Sequence, residues 1–279
     1  MSVILLQLLP FIASSLLYAA LGYHFWWTRW RETGEPLSPL RMKNWERLAI
    51  LAALFLQGIS LYGGLFGTDG MRFSFSFALS LMLWLAVLIY WLESFRSRMD
   101  GLQPMVLPLA AACAVLPAVF PQVHVVAYAN AWGFKLHFMT AMLAYSLFTL
   151  SALHAVFMSF VERKLHLGEL SNQLASLPPI LAMETLLFRM IAVAFSLLTV
   201  TLGSGIFFSE AIFGKALAFD HKTLFAFAAW GIFAALLIGR HFYGWRGRIA
   251  LRWTLTGFLV LLLAYIGSRF VSEVLLGRI

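Results

Sequence analysis

The sequence predicts an all-α, polytopic membrane protein of about eight transmembrane helices with both termini extracytoplasmic. Three observations lead there. Of 279 residues, 62% are hydrophobic and only 11% are charged, against about a quarter charged in soluble domains. The apolar residues fall in long runs, and a membrane-spanning helix takes ~20 of them. The Lys and Arg residues behind the net charge of +8 gather in alternate connections between the runs, the pattern that sets orientation in a bilayer. The same composition excludes a soluble enzyme, a disordered regulator and a solenoid with polar caps. In a soluble domain a basic excess would suggest nucleic acid; here it reads as cytoplasmic loop charge, and no nucleic-acid partner is expected.

The first run, Val3–Trp26, follows a start that carries no Lys or Arg between Met1 and Pro10. The basic n-region of a signal peptide is missing, so this run is expected as a retained helix. The next runs are Leu48–Phe66 and Phe73–Trp91. The fourth, Met105–Phe120, is short and holds Pro108 and Pro117. Proline removes an amide donor and crowds the preceding turn, so a kinked or partial span is expected. Phe134–Val161, Leu186–Ile212, Thr223–Tyr243 and Leu255–Leu276 complete the set. Runs of this length read as helices because a spanning segment must satisfy its own backbone polar groups. No internal repeat or low-complexity tract interrupts them, and residues 1–279 read as a single integral membrane domain. The longest connections are Thr28–Arg47 and Glu162–Thr185. The second is expected to lie along the interface as an amphipathic segment.

Orientation follows from the cations. One set of connections holds Arg29, Arg31, Arg41, Lys43, Arg47, Arg96, Arg98, Arg163, Lys164, Arg240, Arg246, Arg248 and Arg252, with Arg189 beginning the sixth run. The other set holds Arg72, Lys135, Lys215, Lys222, Arg269 and Arg278. The richer side is predicted to be cytoplasmic. Losing the fourth span would scramble this asymmetry, so the charges support eight.

With that orientation the seven histidines sort by depth. His24, His166 and His241 fall at the cytoplasmic surface, and His154 within the fifth helix toward the same side. His124 falls in an outer connection. His137 and His221 fall at the outer starts of the fifth and seventh helices, at one depth. Two imidazoles at one depth on facing helices are what six-coordinate haem requires, one axial nitrogen from each side. Taken singly, each reads first as an interfacial histidine hydrogen-bonded to a carbonyl or water; taken as a pair, the two readings stand level. Asp220 is the predicted N-cap of the seventh helix, and a helix N-terminus disfavours the imidazolium, keeping the nitrogen lone pair available. Lys135, Lys215, Lys222 and Arg72 are outer cations able to meet haem propionates or lipid phosphate. Trp132, Phe134, Phe138, Phe213, Phe219 and Phe225 supply flat apolar surface there, as an aromatic belt also would.

Glu210 and Arg269 lie near outer helix ends, close enough to the interface to snorkel. Gly203-Ser204-Gly205 is expected to serve helix packing. Cys113, the sole cysteine, excludes a disulfide framework or a cysteine metal site within the chain and reads as packing. Walker, nucleophile-elbow and HExxH motifs are absent, and no catalytic residue is predicted.

The C-terminal half resembles a known family. Phe213-Gly-Lys-Ala-Leu-Ala-Phe-Asp-His-Lys222, then Trp230, then Gly244-Trp-Arg-Gly-Arg248 resembles the cytochrome c assembly (CcsA-like) family of haem-handling membrane proteins. Gly214, Asp220, Lys222 and the Gly244–Arg248 turn match that pattern. So do Leu177-Pro-Pro179 with Glu184, and Leu136-His137 with Tyr145 two turns on. The resemblance covers about residues 134–276. Phe213, Leu217 and Phe219 stand where the family has tryptophans, His221 where it has proline, and Thr223 where it has glutamate. The outer histidine that haem-exporting members carry before their last helix is absent. The pattern resembles that of the short YpjD- and HemX-like branch. The resemblance implies haem contact with His137 as the outer axial histidine. The depth argument adds His221 as second ligand to a non-covalent b-type haem.

The reading is a bacterial inner-membrane protein that binds or passes haem in its outer half. It would assist cytochrome c maturation beside other assembly proteins, with membrane lipid as its surround. His137 and His221 are the expected iron ligands, Lys135, Lys215 and Lys222 the propionate partners, and Asp220 the cap. Two other readings stand beside it: a HemX-like regulatory scaffold for tetrapyrrole synthesis, and a small-molecule transporter.

Overall fold

The structure, a computed structural model, describes residues 2–30, 42–67, 70–96, 101–121, 124–125, 131–167, 177–213 and 221–267. Helix α1 (Ser2–Phe25) continues into a π-helical turn, Trp26–Trp30. Helices α2 (Asn44–Leu65) and α3 (Phe75–Glu93) are joined through strands β1 (Phe66–Gly67) and β2 (Gly70–Phe73). Helices α4 (Gln103–Ala114) and α5 (Leu116–Val119) precede strand β3 (His124–Val125). The remainder is α6 (Trp132–His166), α7 (Ile180–Phe213), α8 (His221–Tyr243) and α9 (Gly247–Leu262), the last ending in a π-helical turn, Leu263–Gly267.

This is a polytopic all-α membrane protein. Among the described residues six helices are long and apolar enough to cross a bilayer: Leu8–Trp30, Asn44–Leu65, Phe75–Glu93, Trp132–His166, Ile180–Phe207 and Lys222–Tyr243. Gln103–Val119 is a shorter apolar helix, broken at Val115 between α4 and α5. Pro117 has no amide proton to offer the Cys113 carbonyl, so the ladder stops where the sequence predicts a kink. Residues 268–276 of the last predicted run lie outside the described residues.

The structure differs from expectation in two places. Both α6 and α7 run beyond their apolar stretches. The interfacial segment expected over Glu162–Thr185 is, where described, the end of α6 and the start of α7; residues 168–176 lie outside the described residues. The three short strands form an antiparallel sheet in the order β1-β2-β3, with Phe66 opposite Met71, Arg72 opposite Val125 and Phe73 opposite His124. Two- and four-residue strands leave no period in a sequence, so pairing between separate connections creates them.

The helices wind around one core. Helix α1 packs on α2 and α4, α3 on α2, α4 and α6, and α6 on α7 and α9; α8 packs on α7 and α9. Tyr18, Phe25, Tyr90, Leu107, Phe148, Leu187 and Phe233 are fully buried in that core. With lipid tails as apolar as leucine, hydrogen bonds between helices add cohesion. Gln57 Nε2 of α2 donates to the Ser80 carbonyl and hydroxyl of α3 at 3.1 and 3.0 Å, and Trp84 Nε1 donates to the Leu54 carbonyl at 2.7 Å.

The two ends of the bundle differ. At one end, Phe11, Leu65, Met71, Phe73, Phe77 and Met142 form a satellite apolar cluster beneath the sheet. At the other, carboxylates are paired with arginines. The Glu46 carboxylate accepts from Arg29 Nη2 at 2.8 Å and from the Lys43 amide at 2.7 Å, and lies 3.1 Å from His24 Nε2. Glu93 pairs with Arg189, Glu162 with Arg248 at 3.1 Å and Glu184 with Arg240 at 2.7 Å. The paired end is the cation-rich end of the sequence.

Candidate functional site in the sheet-capped half

Helix α6 starts at Trp132, so His137 stands in its second turn, half-buried. Its Nδ1 lies 3.0 Å from the Ser204 hydroxyl of α7. Three residues deeper on α6, Thr140 meets Thr201 of α7, Oγ1 to Oγ1, at 3.2 Å. The two contacts are successive rungs of one antiparallel seam. Gly205 completes it: a Cβ there would sit 3.3 Å from the imidazole Cε1. The expectation that Gly203-Ser204-Gly205 packs against a helix agrees with this seam, and the helix it meets is the one carrying His137.

Aromatic rings close the same region. Phe134 and Phe138 stack at 6.1 Å with 15° between planes, and Phe138 meets Phe73 of β2 edge-on at 5.0 Å. Because Phe73 is opposite His124 in the sheet, β3 brings the His124 backbone to the cap over α6. Trp132 and Lys135 are exposed on the first turn of α6.

The second histidine begins another helix. His221 is the first residue of α8, as predicted for a helix capped by the residue before it; its side chain lies outside the described residues. Lys215 and Asp220 also lie outside them, as do the side chains of Glu210, Phe213, Phe219 and Arg269. Lys222 is partly buried one residue on. The levels of α6 and α8 are set deeper, where Phe148 and Phe233 stack at 4.0 Å and 23°. His137 precedes Phe148 by 11 residues and His221 precedes Phe233 by 12. At ~1.5 Å per residue both lie ~16–18 Å above that contact. Counted along each helix, the two residues thus stand a similar number of turns from that contact.

At the opposite end sit residues that the sequence offered separately, as loop charge or as pieces of the family pattern. Arg240 Nη1 donates to Glu184 at 2.7 Å and to the Trp245 carbonyl at 3.3 Å, and its guanidinium lies 4.6 Å from the Phe188 ring centre. The Trp245 amide in turn donates to the Gly239 carbonyl at 3.1 Å. Gly244 and Gly247 take φ of +65° and +54°, the left-handed region that glycine occupies without steric cost. Arg248 reaches back to Glu162 of α6. The Leu-Pro-Pro…Glu and Gly-Trp-Arg-Gly-Arg pieces of the sequence are thus two halves of one clamp, joined through Arg240. Their co-occurrence was the available signal. His154 was also missed as a structural residue: fully buried, it has Nε2 3.0 Å from the Met183 carbonyl across the α6–α7 seam.

The family described as cytochrome C assembly protein matches residues 43–276. The chain belongs to that family. The match begins just before α2, upstream of the motif-bearing region. The Inner membrane protein YpjD of Escherichia coli K12 is 27% identical over 244 residues, 85% of this chain and 91% of that protein. A 28.8 kDa protein of Azospirillum brasilense is 30% identical over 207 residues, 71% of this chain and 76% of its own length. The Cytochrome c biogenesis protein CcsA of Prochlorococcus marinus MIT 9215 is 38% identical over 90 residues, 32% of this chain and 29% of that protein. Membership supports a role in cytochrome c biogenesis and implies haem handling. With the apolar helices, it identifies a multi-pass protein of the bacterial inner membrane.

Proposed function

We propose that the chain holds haem in its sheet-capped half, taken as the outer half, for cytochrome c assembly. His137 of α6 and His221 of α8 would hold its iron through their imidazole nitrogens. What supports this is their similar spacing, 11 and 12 residues, from the Phe148–Phe233 stack. The donor chemistry fits: an imidazole anchored through one nitrogen, in a largely apolar surround, is a haem ligand by type. The stacked Phe134 and Phe138 offer flat surface for a macrocycle. Open space within 4 Å at Gly203 leaves room beside the seam.

The protein's share of the work is ligation, orientation and exclusion of water, while iron chemistry belongs to the cofactor. Lys135, Lys222 and Lys215 would meet the propionates at the rim, and Asp220 would cap α8. The positive-inside rule places this half outside and both termini extracytoplasmic. The absorption spectrum of detergent-purified protein tests the reading: sharp low-spin bands support it, and a colourless protein moves the reading to the regulatory scaffold or the transporter.

A further inference from the structure

The Gly-Ser-Gly run of α7 does more at His137 than permit close packing. We propose that Ser204 is the positioning residue of this site, accepting the Nδ1 proton of His137 and so holding the imidazole in the tautomer whose Nε2 carries the lone pair. The consequence for haem rests on the ligand reading above; the tautomer itself does not.

The assignment follows from counting protons. A serine hydroxyl has one proton and two lone pairs. The Thr201 carbonyl, 3.0 Å from Ser204 Oγ on the same helix, can only accept, and the proposal assigns it the Ser204 proton. The lone pairs of Ser204 Oγ then face His137 Nδ1 at 3.0 Å, and that contact is a hydrogen bond only if Nδ1 donates. Neutral imidazole carries one proton, so Nε2 is left with its lone pair. Gly205 brings the α7 backbone against Cε1, and the Thr140–Thr201 contact fixes the register below. The ring is therefore held in both tautomer and direction.

A metal-binding histidine depends on such a partner at its other nitrogen. The partner orients the ring and raises its basicity, and losing it commonly weakens binding by about 10–100-fold. Alanine at 204 would leave Nδ1 without its hydroxyl acceptor, whereas threonine keeps the oxygen.

The test uses the full-length protein in detergent, with ¹⁵N-labelled histidine and His137→Ala to assign the signal. Wild type should show His137 protonated at Nδ1 and bare at Nε2. Ser204→Ala should give a tautomer mixture, and Ser204→Thr should restore the wild-type signal. In haem-loaded protein, Ser204→Ala should keep a low-spin spectrum, release haem about tenfold more readily and shift the reduction potential to more positive values, with Ser204→Thr again restoring both. A wild-type His137 protonated at Nε2 overturns the proposal. So does a Ser204→Ala protein that melts earlier yet keeps the wild-type tautomer and potential, since that is a helix contact alone. Wild-type protein that shows the Nδ1–H tautomer but binds no haem sinks the haem reading and leaves the tautomer assignment standing.

Discussion

Phe148 of α6 and Phe233 of α8 stack with ring centres 4.0 Å apart, both fully buried. The pairing of His137 with His221 hangs from this contact, because it bears on how far α6 and α8 slide past one another. Removing a fully buried phenylalanine ring costs about 3–5 kcal/mol. Phe233→Ala should lower the melting temperature markedly and Phe233→Leu less so. Haem bound to Phe233→Ala should be weaker while its spectrum stays low-spin, since no ligand is touched. Thermal melts and haem titration of the two variants check this.

The clamp at the opposite end predicts a different signature. Glu184 has a side chain 5% exposed and Arg240 one 26% exposed. Removing one member of a buried pair leaves an uncompensated charge, a cost of about 3–5 kcal/mol. Glu184→Gln and Arg240→Gln should each destabilise strongly, and the double variant should cost clearly less than the two together. Additive losses in a double-mutant cycle would show that the two residues act separately. Neither variant should alter a haem spectrum, since the clamp sits beyond the mid-membrane core from His137.

Much of the fold was legible because its causes are local to the sequence. The apolar runs, the break at Pro117 and the start of α8 at His221 each follow from composition or backbone chemistry. The strands were not legible, because Phe73 finds His124 across 50 residues of helix and turn. At the site, His137 stood out by type and depth. Its partner Ser204 did not, since a serine between glycines signals packing until the facing helix is known. Arg240 and Glu184 were legible as charges but not as a pair, because their contact depends on how α7 and α8 are placed.

Charge at the rim separates propionate binding from general stability. A Lys215→Gln, Lys222→Gln double variant should bind haem more weakly with its low-spin spectrum intact. Arg246→Gln with Arg248→Gln removes equal charge at the other end. Among the described residues only the exposed pair of Arg248 with Glu162 is lost there, and such pairs contribute about 0–1 kcal/mol. It should leave haem affinity unchanged in correctly inserted protein. Equal haem loss from both variants in titrations would remove the lysines from the site.

Orientation is open to direct reading. Reporter fusions after Arg98 and after Arg248 should give a cytoplasmic signal, and a fusion after Gly214 an external one. A cytoplasmic signal at Gly214 would turn the sheet-capped half inward and take His137 and His221 away from the outer leaflet.

The central claim is that His137 and His221 bind one iron from two sides. The reduced absorption spectrum of haem-loaded protein tests it most directly, taken for wild type, His137→Ala, His221→Ala and His241→Ala, the last an exposed histidine at the far end of α8. An axial nitrogen lost from an apolar site has no ready substitute, so iron should turn high-spin or leave. The prediction is sharp low-spin bands for wild type and His241→Ala, and lost or high-spin haem for both His137→Ala and His221→Ala. A normal low-spin spectrum in His221→Ala, with haem lost from His137→Ala, would contradict the pair and pass the second ligand to another residue, His124 in the sheet being the first to test.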